Sequence, residues 1–269
     1  MSRKFAAFDI DGTLFRSGLY REVFYELYKM GVLPNDLTEQ TTEKHREWRH
    51  RVHGNAFEEF EAIMVGGMDS YITQLRIADY DQAVQRVLEK KAENVYVYTR
   101  DLLHKLQEAG YFTIAISGSQ HELVEPFASK YGFNAWVGQQ WERGDEFFTG
   151  NVVKTHTGKD KIITQLIDQY DLTLEDSYAV GDSNGDSGML EIVDHPIAFN
   201  PTYELLEKAL ANNWKIVVER KNTSFELEKG RDGNFILANT NHHYATLSGY
   251  RVGKTRAALA SWPSRHHWW

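Results

Sequence analysis

The feature that most constrains the fold is a recurring juncture, in which a short apolar run stops at a cluster of acidic, glycine or serine residues and a helical pattern follows. Phe5 to Phe8 runs into Asp9-Ile10-Asp11-Gly12, Phe112 to Ile116 into Ser117-Gly118-Ser119, and Tyr178 to Val180 into Gly181-Asp182. Runs of this length bounded by turn residues read as buried strands. Helical spacing covers Val97 to Glu108, Leu123 to Tyr131 and Lys161 to Tyr170, while Ile197-Ala198-Phe199 and Ile216-Val217-Val218 supply two further strands. The alternation predicts an α/β fold with a parallel sheet flanked by helices. Ala135 to Gln139 reads as a short strand, and Phe147 to Val153 suggests a hairpin turning at Gly150-Asn151.

From Leu19 to about Lys91 the pattern is helical without a convincing strand. Tyr20, Val23, Phe24, Leu27 and Tyr28 repeat at helical spacing, and further helical stretches cover Glu39 to Val52, Phe57 to Ile63 and Ile72 to Leu88, with Gly54 and Gly66-Gly67 as breaks. The expected organisation is therefore an α/β core over 1–14 and 94–232, an inserted helical module over 15–93, and a tail over 233–269. The tail contains no Asp or Glu, whereas Arg251, Lys254, Arg256 and Arg265 make it basic, and it reads as a poorly ordered end.

With 269 residues, 42% of them hydrophobic, the chain can bury a sizeable core. A formal charge of −8 argues against general affinity for nucleic acid, and the lack of cysteine excludes disulfides, thiolate zinc sites and Cys nucleophiles. The apolar stretch before Asp9 is too short for a signal peptide, and no run approaches the ~20 residues needed to span a bilayer. The expectation is a cytoplasmic protein, monomeric or a small homo-oligomer, without a membrane or nucleic-acid partner.

The chemistry must then rest on oxygen and nitrogen. Asp9 and Asp11, two apart at a strand end, can present both carboxylates to one site, one ionised as nucleophile or metal ligand and the other as general acid and base. Gly12 permits the turn, and Thr13 adds a hydroxyl. Ser117, with the N–H groups of Gly118 and Ser119 ahead of a helix, suits an oxyanion, although Ser119 could equally be an ordinary N-cap. Lys159 or Lys161 could neutralise a phosphoryl group. In Gly181-Asp182-Ser183-Asn184-Gly185-Asp186, Asp182 is a natural ligand for a hard divalent cation, and Asp186 can hold a metal-bound water or orient Lys159.

These elements, in this order and each at a predicted strand end, resemble the haloacid dehalogenase superfamily. Asp9-Ile10-Asp11-Gly12-Thr13 stands as its first motif, Ser117 as its second, Lys159 as its third and Gly181-Asp182 through Asp186 as its fourth. The stretches Ile116 to Val124 and Val180 to Leu190 look most like the phosphoserine-phosphatase-like branch, and the helical insertion fits that branch's cap. The resemblance implies a Rossmann-like core with an inserted cap, and a Mg2+-dependent phosphatase acting on a small phosphorylated metabolite. It further implies Asp9 as nucleophile, Asp11 as acid and base, Thr13, Ser117, Gly118 and Lys159 around the phosphate, and metal held by Asp9, the Asp11 carbonyl and Asp182. Phosphotransfer to another acceptor, or a non-catalytic regulatory module, are the alternatives. Two departures make a serine-specific site doubtful: Gly18 stands where phosphoserine phosphatases carry a substrate-binding Glu, and Gly185 stands where they carry Asn.

Two further signals stand apart. Lys44, His45, Arg46, Arg49, His50, Arg51 and His53 make one cap helix basic, so that Arg46 and Arg49 could bind an anionic part of the substrate. His242-His243 and His266-His267 could in principle bind a transition metal.

Overall fold

The computed structural model describes residues 2–155, 158–231 and 233–242; the basic residues from Arg251 onward and the His266-His267 pair lie outside them, and of His242-His243 only the first is included. The strands are β1 (Arg3–Asp9), β2 (Phe112–Gln120), β3 (Ala135–Arg143), β4 (Phe148–Val153), β5 (Leu172–Gly181), β6 (His195–Phe199), β7 (Lys215–Arg220), β8 (Thr223–Lys229) and β9 (Phe235–His242). They form one sheet in the order β4-β3-β2-β1-β5-β6-β7-β8-β9. From β3 to β7 the pairs are parallel, and β4, β8 and β9 add antiparallel edges.

Between the strands lie α1 (Leu19–Lys29), α2 (Asn35–His50), α3 (Ala56–Tyr71) and α4 (Ile77–Lys91), followed by α5 (Val97–Glu108), α6 (His121–Lys130), α7 (Lys159–Tyr170), α8 (Ser187–Glu191) and α9 (Tyr203–Asn212). Successive residues of β1 feed opposite faces, as the strand period requires. Phe5 and Ala7 join a core with Ile163, Leu166, Met189 and Leu205 of α7 to α9. Ala6 and Phe8 join a second core with Leu103 of α5 and Phe127 of α6, which continues into Phe24, Phe60, Met64 and Tyr80 of the inserted helices. The insertion is thus seated on the sheet through shared apolar packing.

Chain order places the site. The chain builds β2, β3 and β4 on one side of β1, then β5, β6 and β7 on the other, so the carboxyl ends of β1 and β5 flank the crevice where connections diverge.

Several expectations are corrected. Gly66 and Gly67 lie inside α3, and a Cβ at Gly67 would stand 2.0 Å from Leu37 Cδ1, so this glycine permits close approach of α2 rather than ending a helix. The hairpin joins β3 to β4 and turns between Gly144 and Phe147, closed by a Gly144 N–H to Phe147 carbonyl bond of 3.0 Å; Gly150-Asn151 lies within β4. The tail begins as structure, because Phe235–His242 pairs with β8 along its whole length and extends the sheet past residue 232.

Candidate active site

Asp9 is the last residue of β1 and is 4% exposed. Gly12 follows with φ +86°, a left-handed conformation that favours glycine, and a Cβ there would come within 2.2 Å of Asp182 Oδ2. The loop is pinned from the next layer, where Thr99 Oγ1 donates to the Thr13 carbonyl (2.8 Å) and Tyr96 N–H to that of Leu14 (2.9 Å). In turn the Glu219 carboxylate of β7 accepts from the N–H groups of Val97 and Tyr98 at the start of α5.

Lys159, the first residue of α7, reaches Asp9 Oδ1 at 2.7 Å, Asp186 Oδ1 at 2.6 Å and the Ile116 carbonyl at 3.2 Å, whereas Lys161 is exposed. Asp186 is itself saturated, because its Oδ2 accepts from Asp182 N–H, Ser183 N–H and Ser183 Oγ. Asp9 Oδ2 is different: it is buried and has no hydrogen-bond partner. Carboxylate oxygens of Asp9, Asp182 and Asp186 fall within 4.8 Å of one another.

Crowding of this kind moves ionisation. Burial pushes Asp9 up to about 8 against the pull of Lys159, with Asp186 and Asp11 adding to the rise. Desolvation, then Asp9 and Asp186, push Asp182 well above the ordinary carboxylate range. Burial alone would lower the Lys159 ammonium, but Asp186 and Asp9 outweigh it and hold its pKa above the usual lysine value. Three acids share one lysine, and the unpartnered oxygen belongs to the acid at the strand end. A divalent cation of the magnesium kind, which takes carboxylate oxygens, fits Asp9 and Asp182 on these grounds.

Asp11 sits beyond them. Its Oδ2 accepts from Ser117 Oγ (2.6 Å) and Ser119 Oγ (2.7 Å), and its Oδ1 from Leu19 N–H (2.5 Å). Ser119 is not the N-cap of α6, a place Gln120 takes; its hydroxyl accepts from Tyr20 N–H while donating to Asp11, because β2 continues four residues past Ile116, to Gln120, before the helix begins. Ser117 is fully buried, and Thr13, also buried, donates to Asp182 Oδ1 at 3.2 Å.

A cavity of about 370 Å³ opens over this floor, with Asp9, Asp11, Gly118, Lys159 and Asp182 at its base. Its roof comes from the insertion, as Arg21 of α1 with Phe57, Glu61, Met64 and Val65 of α3. Arg46 and Arg49, expected to face substrate, do not line it. Both are exposed, and Arg46 pairs with Glu43 (3.8 Å) on its own helix, because the side of α2 that turns inward carries Leu37, Thr38 and Thr41. Sequence reasoning missed Arg21 and Glu61. The helical spacing of Gly18 and Arg21, and of Phe57, Glu61 and Met64, was the available signal, hidden because charge on a helix surface is ordinarily solvated.

Residues 6–191 match the haloacid dehalogenase-like hydrolase family. Over 226 residues the chain is 26% identical to histidinol-phosphatase of Neisseria meningitidis serogroup C, covering 80% of this chain and 98% of that protein. It is 29% identical over 158 residues to phosphoserine phosphatase SerB2 of Mycobacterium tuberculosis, covering 56% of this chain but only 39% of the relative. Among solved structures, a phosphoserine phosphatase captured as a phospho-aspartyl intermediate analogue superposes with a TM-score of 0.58 at 22% identity, over 82% of this chain and 95% of that one. A protein of unknown function from Bordetella pertussis Tohama I superposes at 0.62 and 21% identity, over 80% and 98%. With the match spanning well over half its length, the chain belongs to the haloacid dehalogenase-like hydrolases and is similar within them to the phosphoserine-phosphatase-like phosphatases.

Proposed function

We propose that the chain is a magnesium-dependent phosphatase that hydrolyses a small phosphomonoester through an aspartyl-phosphate on Asp9. The observation that carries this is the state of Asp9, a buried carboxylate with one oxygen on Lys159 and the other unpartnered at the floor of the cavity. Asp9 attacks phosphorus, so that an O–P bond to its carboxylate forms as the bond to the leaving oxygen breaks, and Asp11 gives that oxygen a proton. A water then attacks the aspartyl-phosphate, Asp11 takes its proton, and phosphate leaves as the Asp9 carboxylate is restored.

Asp9, Asp182 and the Asp11 carbonyl would hold the cation, which supplies charge neutralisation for the phosphoryl oxygens. Lys159 adds fixed positive charge against the same oxygens, oriented by Asp186. Gly118 lies at the cavity base to receive phosphate, backed by Ser117 and Thr13, whose hydroxyls fix Asp11 and Asp182. The insertion over 15–93 acts as a cap that excludes water and selects the leaving group. Two relatives are named for histidinol phosphate and for phosphoserine, which favours a small phosphorylated metabolite as substrate.

The test is phosphate release from a panel of phosphomonoesters with magnesium and with chelator. Release that needs magnesium and disappears in Asp9→Asn is expected. Equal release with chelator would reject the metal, and full activity in Asp9→Asn would reject the reading.

A further inference from the structure

Strand β2 loses step with β3 beside the cavity. Ile116 pairs with Val137 and Gln120 with Gln139, so Ser117, Gly118 and Ser119 stand opposite Gly138 alone. A bulge of this kind disrupts the ladder, and backbone groups released from it need other partners when they are buried. Three successive carbonyls of the bulge find theirs in side chains. Ile116 accepts from Lys159 Nζ (3.2 Å), Ser117 from Thr155 Oγ1 (2.5 Å) and Gly118 from Gln139 Nε2 (3.2 Å). Gln139 is buried, and of its two amide orientations the one that donates to Gly118 also lets its oxygen accept from the Trp141 indole N–H at 2.7 Å. Thr155, two residues past β4, is buried as well.

We propose that Thr155 and Gln139 are positioning residues that aim the backbone of this bulge at the phosphoryl group, Thr155 by fixing the peptide that carries the Gly118 N–H and Gln139 by fixing the peptide after it. The inference rests on the phosphatase reading above, in which Gly118 receives the phosphate, and adds what holds it ready. In a trans peptide the N–H points opposite to the carbonyl. The Ser117 carbonyl is turned to Thr155, which does not line the cavity, so the Gly118 N–H of the same peptide is turned the other way, towards the cavity base that Gly118 lines. The Gly118–Ser119 peptide is held at both ends, its carbonyl by Gln139 and its N–H by Ser117 Oγ at 2.8 Å. Without these side chains either peptide could rotate, and a carbonyl swung into the cavity would set an acceptor against the phosphoryl oxygens. A donor aimed in advance needs no rearrangement as charge builds on those oxygens, which is where such a hydroxyl contributes to rate. Threonine suits the task because its branched side chain has few rotamers to lose. Thr155 also stands four residues before Lys159 in the chain, so one short stretch of sequence supplies both the cation and the brace for the amide.

The experiment compares Thr155→Val, which keeps the branched shape and removes the hydroxyl, with Thr155→Ser, which keeps the hydroxyl, and with Gln139→Met. The full-length protein is assayed with magnesium on an aryl phosphate, with inorganic phosphate as a competitive inhibitor. Deleting an oxyanion donor costs about 10²- to 10³-fold in rate, so misaiming one should lower kcat/KM in Thr155→Val by about ten- to a hundredfold and weaken inhibition by phosphate by about threefold or more. Thr155→Ser should recover most of both, and Gln139→Met should fall between. The magnesium concentration for half activity should stay within about twofold of wild type, since the hydroxyl of Thr155 is bonded to Ser117 and not to a carboxylate. A threonine that merely supports the fold would lower Tm and the yield of active protein but leave the phosphate inhibition constant unchanged, because that constant does not depend on how much protein is active. Unchanged phosphate inhibition in Thr155→Val, or a Thr155→Ser as impaired as Thr155→Val, would therefore overturn the inference. If Thr155→Val yields no folded protein, Gln139→Met decides, and unchanged phosphate inhibition there overturns it equally. Failure of the wild type to release phosphate from the aryl ester would instead overturn the phosphatase reading and take this inference with it.

Discussion

Replacing Asp186 by Asn isolates the part of the site that is structural rather than reactive. Asp186 is 1% exposed and accepts from four donors: Lys159 Nζ at 2.6 Å, Asp182 N–H at 3.1 Å, Ser183 N–H at 2.9 Å and Ser183 Oγ at 3.1 Å. An asparagine offers one oxygen and must turn its amide nitrogen towards either the lysine or the backbone amides, so donor meets donor on one side. A hydrogen bond to a charged group contributes ~1.5–3 kcal/mol, and removing one partner of a buried ion pair costs about 3–5 kcal/mol. Relief of repulsion among Asp9, Asp182 and Asp186 offsets part of this and favours the lower end. We expect a loss of about 3 kcal/mol in metal-free protein, which for a chain of this size is roughly 6–12 °C in Tm. Urea unfolding and a thermal melt would measure it. A loss under about 1 kcal/mol, or a gain, would refute the claim that Asp186 anchors Lys159 and the turn after β5.

Other expectations follow from single contacts. Gly67→Ala should destabilise by about 1–3 kcal/mol, since its Cβ would overlap Leu37, whereas Gly66→Ala, with nothing within 4 Å, should be neutral or stabilising; paired urea unfolding separates them. Lys4, Tyr111 and His195 hold the Asp176 carboxyl well below its usual range, so its contribution is present above the unfolded value of ~3.9 and lost as pH falls further. Wild-type Tm should accordingly drop more than that of Asp176→Asn on going from pH 5 to pH 2.5 (roughly the window this shift opens). Replacing both Arg46 and Arg49 by Ala should leave KM for a good substrate within about twofold, as expected of exposed side chains, and a larger rise would restore them as substrate residues.

Much of the arrangement was legible because strand ends announce themselves. Asp9, Ser117 and Asp182 each close an apolar run, and a parallel sheet brings such ends to one edge whatever the loops do. Lys159 was legible for a related reason, standing just before the helical spacing of Ile162, Ile163 and Leu166. What failed were signals whose meaning depends on a distant partner. Gly67 reads as a helix breaker until Leu37 lies against it, and the hydroxyl of Ser119 reads as a cap until Asp11 is in reach. The basic run of α2 drew attention by number, whereas the charges on the roof of the cavity are a single arginine and a single glutamate brought together from α1 and α3, 40 residues apart in the chain. The strand β9 was hidden because its apolar residues are few and partly exposed, Ile236 and Leu237 among them, and its order comes from pairing with β8.

The central claim is that Asp9 receives the phosphoryl group. Acid quenching during turnover of a good substrate, followed by peptide mapping, tests it most directly. The wild type should hold a hydroxylamine-sensitive phosphoryl group on the peptide containing Asp9, and Asp9→Asn should hold none and release no phosphate. Asp11→Asn should still form it from an aryl phosphate while slowing esters with poor leaving groups by roughly 10²- to 10⁴-fold. A phosphoryl group on another residue, or substantial turnover by Asp9→Asn, would contradict the account.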